Sequence, residues 1–428
     1  MSKPEPIIVP LPLPGARAVG GPVAMALLGL LVGVALTGWL GAAGALLAAA
    51  PDLAAERAGA TAPVLAAHLL ALGLLPAAVA GASFHLLPVM LRTELRGGRR
   101  MWLIPPLLAG GLALAPGIAF DVPGLVWPAA AAVTLGFALV VAEIARLVVL
   151  APSDRMLVAS RTGVALSLFH AAAALALGAL VFDHGDVPLG GVSHDRWVLV
   201  HLHVAVLGWL TLLIIAVGRT LVPMLAQAPA AKVRALPREE LGLALGLWAL
   251  AIGVAVDARW LETAGGAVVT ITLASFLVAL LRSVRRRRRA LEAPLVHMLG
   301  GLVFLGQAAI LGLGAAAGAF APRRALIAYV LFLLFGWAGG AVLGHIGKLL
   351  SLSLWVWWPP GPRPKQAALY PRAVWLAQAA AFVSGVEALG LGILFEETVV
   401  ARAGAALLCS SAVLAATAAA HTWRRRPR

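Results

Sequence analysis

Long apolar runs separated by short charged segments fill most of this chain. One crossing of a bilayer takes about 20 apolar residues. Hydrophobic residues make up 61% of the sequence and charged residues only 12%, a composition that does not stay soluble as a globular domain. The sequence therefore predicts an all-α transmembrane protein with twelve helices, at about 22–50, 62–91, 101–119, 124–151, 162–183, 197–226, 240–256, 260–284, 294–319, 324–353, 372–395 and 400–422.

Charge is distributed unevenly between the loops. The loops that follow even-numbered helices are basic, as in the run at 285–289, whereas the alternate loops hold mainly acidic residues such as Asp257 and Glu397. The positive-inside rule places both termini in the cytoplasm of an integral, multi-pass cell-membrane protein surrounded by the lipid bilayer. Because these clusters account for the net charge of +15, we expect no nucleic-acid partner.

The predicted organisation is simple. A cytoplasmic N-terminal tail at 1–21 precedes a single transmembrane domain at 22–422, and a basic cytoplasmic tail follows at 423–428. The transmembrane domain contains an internal repeat. His68 aligned with His203 without a gap brings further identities, namely Leu72 with Leu207, Gly73 with Gly208, Leu75 with Leu210, Leu86 with Leu221 and Pro88 with Pro223.

The tenth helix continues this repeat. It has Gly336 and Trp337 in register with the Gly-Trp pair of the sixth helix, but Leu331 in place of histidine. The intervals of 135 and 128 residues are each about four helices long. The sequence thus predicts three pseudo-symmetric four-helix units, at about 22–151, 162–284 and 294–422, with helices 2, 6 and 10 as the inner helices.

Histidines at membrane depth are the strongest functional signal. An ionisable side chain in a membrane normally faces the protein interior and has a partner. His68 and His203, at matching depth on two inner helices, are suited to the two axial positions of a haem iron; the alternative is that each makes an interhelical hydrogen bond. His201 lies about 200° round the helix from His203, so we expect it to serve a different site.

The chain contains one cysteine, Cys409, which excludes a CxxCH attachment site. We therefore expect a non-covalent, b-type haem, in one or two copies. The two histidines of the sixth helix, the single histidine of the second and the three groups of four helices resemble subunit I of the haem–copper oxidases, and also the related NnrS family.

That resemblance implies a low-spin haem on His68 and His203 and a second haem near His201. It also implies electron transport, binding of O2 or NO, and a cytochrome or cupredoxin as electron donor. The chain departs from the oxidase pattern because its HxH pair is on the sixth helix rather than the tenth, and it has neither an HPEVY-like motif nor adjacent histidines. These departures put the copper centre in doubt and leave open whether the protein is an oxidoreductase.

Several further residues have two interpretations. Arg323 and Arg324 either bind haem propionates or contact lipid phosphate. The loop with His184, His194, Asp183, Asp186 and Asp195 either binds a divalent metal or is only solvated. The remaining candidates, as interhelical or proton-carrying groups, are His85, His170, His345, Lys348 and Glu387.

Two alternative functions stay open at this point. The basic loop RTELRGGRR after the second helix has a faint counterpart in twelve-helix secondary transporters, although that class repeats by six helices. The other alternative is a non-catalytic, oxidase-like subunit that keeps the layout without the chemistry.

Overall fold

The computed structural model describes residues 22–154, 157–184, 188, 190–228, 237–288, 290–319, 322–356, 358–359 and 361–426. Twelve helices in this part are long and apolar enough to cross a membrane. They are α1 (Pro22–Ala54), α2 (Thr61–Met90), α3 (Gly98–Ala119), α4 (Pro123–Leu150), α5 (Val158–His184), α6 (His194–Ala226), α7 (Arg238–Val256), α8 (Arg259–Arg285), α9 (Ala293–Ala316), α10 (Arg323–Val356), α11 (Arg372–Leu394) and α12 (Thr398–Arg424).

The predicted number of helices is confirmed, and the differences lie at the helix ends. α1 continues past Pro51 to Ala54, because only the N–H of Pro51 is missing and its carbonyl still accepts a bond from the Ala55 N–H at 3.0 Å. α9 ends at Ala316, three residues earlier than expected. The loops after odd-numbered helices form the predicted outer face.

Three helices are much more enclosed than the others. In the most apolar window of each helix, 83% of the residues of α10, 67% of α6 and 61% of α2 are buried inside the protein, against 28% for α5 and α8. The helices predicted to be inner from their shared glycines and histidines are thus the most buried ones. Apolar side chains on α5 and α8, such as Ile271, are left facing the membrane.

Each inner helix contains a stretch of π-helix: Leu69–Leu74 in α2, Val204–Thr211 in α6 and Leu331–Gly339 in α10. The first two begin directly after His68 and His203. A π-helical stretch inserts one residue per turn and breaks the normal carbonyl ladder, so side chains often complete the bonding. In α6, the Thr211 hydroxyl donates to the Val206 carbonyl and the Ser167 hydroxyl of α5 donates to the Trp209 carbonyl, both at 2.8 Å.

The π-helical stretches pack closely on their neighbours. A Cβ added to Gly38 of α1 would lie 2.6 Å from the Gly73 carbonyl carbon, so the two backbones touch at this point. Between α6 and α10, the Trp337 indole N–H donates to the Thr211 hydroxyl at 2.8 Å, and both residues are fully buried. The inner helices are therefore held in a defined rotation.

Ion pairs connect the loops at the predicted outer face. Arg324 at the start of α10 contacts Glu56 at 2.7 Å and also pairs with Glu396, which joins the loops after α1 and α11. Arg196 of α6 lies 2.6 Å from Asp257, and its hydrogen bond and charge hold the pKa of that exposed carboxyl below its usual value.

Candidate functional site

His68 is held with one ring nitrogen available. Its Nδ1–H donates to the Val64 carbonyl one turn earlier at 2.8 Å. This bond sets the tautomer, so Nε2 carries the lone pair. The ring is only partly buried. An imidazole in this state can act as a metal ligand or accept a hydrogen bond.

His203 is similarly anchored, but its second nitrogen is occupied. Its Nδ1–H donates to the Leu199 carbonyl at 2.7 Å, and the Tyr329 hydroxyl of α10 donates to Nε2 at 2.7 Å. Both residues are buried, and their ring centroids are 5.7 Å apart. His203 therefore links α6 to α10 in this structure, and an iron ion would have to displace the tyrosine.

His201 has different neighbours, as its angular separation from His203 predicts. Its ring lies against α5, where a Cβ added to Gly178 would meet Cε1 at 3.0 Å. Its Nδ1 is buried and has no hydrogen-bond partner among the residues that the structure describes. His201 is also close enough to His68 for the charge of one ring to act on the other. The histidine of α6 that interacts with His68 electrostatically is thus His201.

A cavity of about 100 Å³ lies further along the inner helices. It is bounded by α1, α2, α6, α9 and α10, and its polar lining residues are Ser83 and His345. The inner helices contribute residues in matching register, such as Ala82, Val217 and His345, and one turn later Leu86, Leu221 and Leu349.

The arginines considered for haem propionates lie at the predicted outer face. Arg323 is exposed, whereas Arg324 already pairs with Glu56 and Glu396. A propionate would have to compete with these two carboxylates for Arg324. Arg323 has the greater freedom to meet an anionic ligand or a lipid headgroup.

The predicted metal loop is described only in part. Asp186 and the side chain of His184 lie outside the described residues. Among the residues that are described, no group of three or more histidine, cysteine or acidic side chains is arranged to hold a metal ion.

His170 packs against the π-helical stretch of α6. Its Nδ1–H donates to the Leu166 carbonyl at 2.7 Å, its ring stacks on Trp248 at 5.7 Å, and a Cβ on Gly208 would lie 2.7 Å from the ring. Its Nε2 is buried without a partner in the described part of the chain.

The other intramembrane candidates have local partners. His85 lies 3.3 Å from the Ser353 hydroxyl, and the His345 Nδ1–H donates to the Ala341 carbonyl at 2.6 Å. Lys348 reaches Glu292 at 2.8 Å and lies over the ring of Tyr370. The amide nitrogen of Gln307 is 3.0 and 3.1 Å from the two oxygens of Glu387.

Three polar contacts were not expected from the sequence. Tyr329 is one; it stands in register with His201, two residues before the aligned position, and that register was the available signal. The second is a fully buried chain in which the His297 Nε2–H donates to Gln378 (2.8 Å) and Gln378 to Ser411 (2.9 Å).

The third is a set of ion pairs at the predicted inner side. Arg219 in α6 lies 2.7 Å from Glu239 and 3.1 Å from Glu240, and Arg100 pairs with the buried Glu143. Arg100 was expected to act only as a topology determinant, but it also neutralises a carboxylate that is 2% exposed.

Comparison with known proteins adds no family assignment. No protein-family model matches the chain, and no curated protein matches it significantly.

Proposed function

We propose that this membrane protein binds a non-covalent b-type haem between α2 and α6, for electron transfer or for binding a diatomic gas such as O2 or NO. The observation that carries the proposal is the state of His68, whose Nδ1–H bond to Val64 leaves Nε2 as a lone-pair ligand beside the π-helical stretch of α2. Such stretches often occur at functional sites.

The second ligand is His203, with His201 assigned to a second site. The donor set suits haem iron at His68 directly and at His203 once the Tyr329 hydroxyl is displaced. Haem would supply one-electron redox chemistry and a coordination position for a gas. The chain's own part is to fix the imidazole tautomers through Val64 and Leu199 and to exclude water with apolar helices.

Three pseudo-symmetric four-helix units are part of the same proposal. The π-helical stretches recur in the three inner helices at the aligned positions, and the cavity is lined by residues in the same register. These two observations support the sequence repeat independently of sequence identity. In this arrangement both termini face the cytoplasm, and a cytochrome or cupredoxin would donate electrons from outside.

The His203–Tyr329 bond favours a second candidate function. If that bond persists in the cell, the protein keeps the oxidase-like layout as a non-catalytic subunit without a haem on His203. The transporter alternative gains nothing from the cavity, because a lining whose polar members are Ser83 and His345 does not suit a charged or strongly polar solute.

Haem analysis of four single variants tests the proposal. We expect wild-type protein from haem-replete cells to show a Soret band and a pyridine haemochrome, and His68→Ala and His203→Ala to lose them. His85→Ala is the matched control, since it removes a histidine from α2 that bonds only Ser353 among the described residues. His201→Ala should change the spectrum without removing all the haem.

The possible negative results differ in meaning. Wild-type protein without a Soret band contradicts haem binding altogether. Full haem content in His203→Ala, with loss in His68→Ala and His201→Ala, would instead assign the second ligand to His201.

A further inference from the structure

The cavity between the inner helices is separate from the histidine site. Its lining on α2 begins at Ala77, nine residues after His68, and on α6 at Leu213, ten residues after His203. At 1.5 Å per residue these positions are about 14 and 15 Å further along the helices. The cavity therefore belongs to the other half of the membrane.

The lining does not suit ordered water. A buried water molecule makes two to four hydrogen bonds. The polar residues available are Ser83 and His345, and the Nδ1–H of His345 is already committed to the Ala341 carbonyl. The other lining residues are aliphatic side chains, Met298 and glycines. An apolar cavity of about 150 Å³ in another protein stays dry and binds benzene or xenon, and this one, at about 100 Å³, suits a smaller molecule.

We propose that this cavity binds a small apolar molecule of the size of a diatomic gas. Its position on the shared axis of α2, α6 and α10 places the bound molecule inside the protein and not at the lipid-facing surface. The identification of the occupant as O2 or NO rests on the function proposed above. The binding site itself does not, because none of its lining residues is a proposed haem ligand.

Xenon NMR on the full chain in detergent tests the cavity, with haem-free protein as the sample. We expect a bound-xenon signal in wild-type protein. Ala341→Leu, which fills the cavity, should abolish the signal, and Leu221→Ala, which enlarges it, should strengthen the signal. Leu114→Ala is the matched control, since it removes the same atoms from a buried residue of α3 outside the cavity.

A milder variant covers the case in which Ala341→Leu does not fold. A Cβ added to Gly81 would meet only flexible side chains, with Leu28 Cδ1 at 3.2 Å, so Gly81→Ala should fold and weaken the signal. Equal signals in wild type, Gly81→Ala and Leu221→Ala would overturn the proposal. So would a lipid that co-purifies with wild type, blocks xenon and is lost in the filled variant.

Failure of the two proposals can be told apart. If haem does not bind, the xenon signal of haem-free protein is unaffected. If xenon does not bind, the haem content of the histidine variants is unaffected.

Discussion

At the scale of single residues, Tyr329 decides whether His203 is available as a ligand. Tyr329→Phe removes the hydroxyl that bonds His203 Nε2 at 2.7 Å. Since a buried acceptor is left unpaired, the free energy of unfolding of the haem-free protein should fall by about 1–2 kcal/mol. Haem content should rise, because the competing donor is gone. Denaturant unfolding and the pyridine haemochrome measure the two effects.

The chain's other tyrosine provides the control for this variant. Tyr370 lies over Lys348 at the predicted inner side, far along α10 from His203. Tyr370→Phe should leave haem content unchanged. A loss of haem in Tyr329→Phe but not in Tyr370→Phe would mean that Tyr329 is part of the haem site and does not compete with it.

The sequence made the histidines visible but not their partners. His68 and His203 could be singled out because an ionisable group in an apolar run needs an explanation. Tyr329 gave no such signal, since tyrosine is common near membrane interfaces and its partner lies 126 residues away in the chain. Whether the histidines bind haem stays a prediction.

At the scale of helices, one buried hydrogen bond connects α6 to α10. Trp337→Phe removes the indole N–H that donates to Thr211, and we expect it to destabilise the protein by about 1–3 kcal/mol. Trp375→Phe is the control, because the indole nitrogen of this buried residue has no partner among the described residues. Thermal unfolding in detergent should show a larger loss for Trp337→Phe, whereas equal losses would assign the effect to ring size alone.

A second helix-scale prediction concerns the contact between α1 and α2. A Cβ on Gly38 would lie 2.6 Å from backbone atoms of Gly73 and Leu74, which cannot move without shifting a helix. Gly38→Ala should therefore cost about 1–3 kcal/mol in free energy of unfolding. A Cβ on Gly44, six residues along the same helix, meets nothing within 4 Å. Gly44→Ala should be neutral or slightly stabilising, and equal losses in both variants would contradict a backbone contact at Gly38.

The π-helical stretches show where prediction from the sequence ends at this scale. Hydropathy identified the helices because every crossing must be apolar and about 20 residues long. It could not distinguish α-helical from π-helical turns in VAVLGWLT at 204–211, since both keep the backbone bonded and the side chains apolar. That choice depends on neighbours such as Ser167, which bonds the Trp209 carbonyl from another helix.

At the scale of the whole molecule, the number of crossings and the identity of the inner helices could be predicted. Long apolar segments can only be satisfied in a membrane as helices. Shared glycines identified α2, α6 and α10 as the helices with close neighbours, and these are the three most buried. The orientation in the membrane is a matter of loop charge, and it stays a prediction.

Cysteine labelling tests that orientation. In a Cys409→Ser background, which removes the only cysteine, Glu397→Cys lies in the exposed loop before α12 and Arg286→Cys in the exposed loop after α8. Three crossings separate these loops, so they should lie on opposite sides. Because the basic loop is expected inside, an impermeant maleimide should label Glu397→Cys in intact cells and Arg286→Cys only after permeabilisation. The reverse pattern would invert the orientation, and labelling of both in intact cells would contradict three crossings between them.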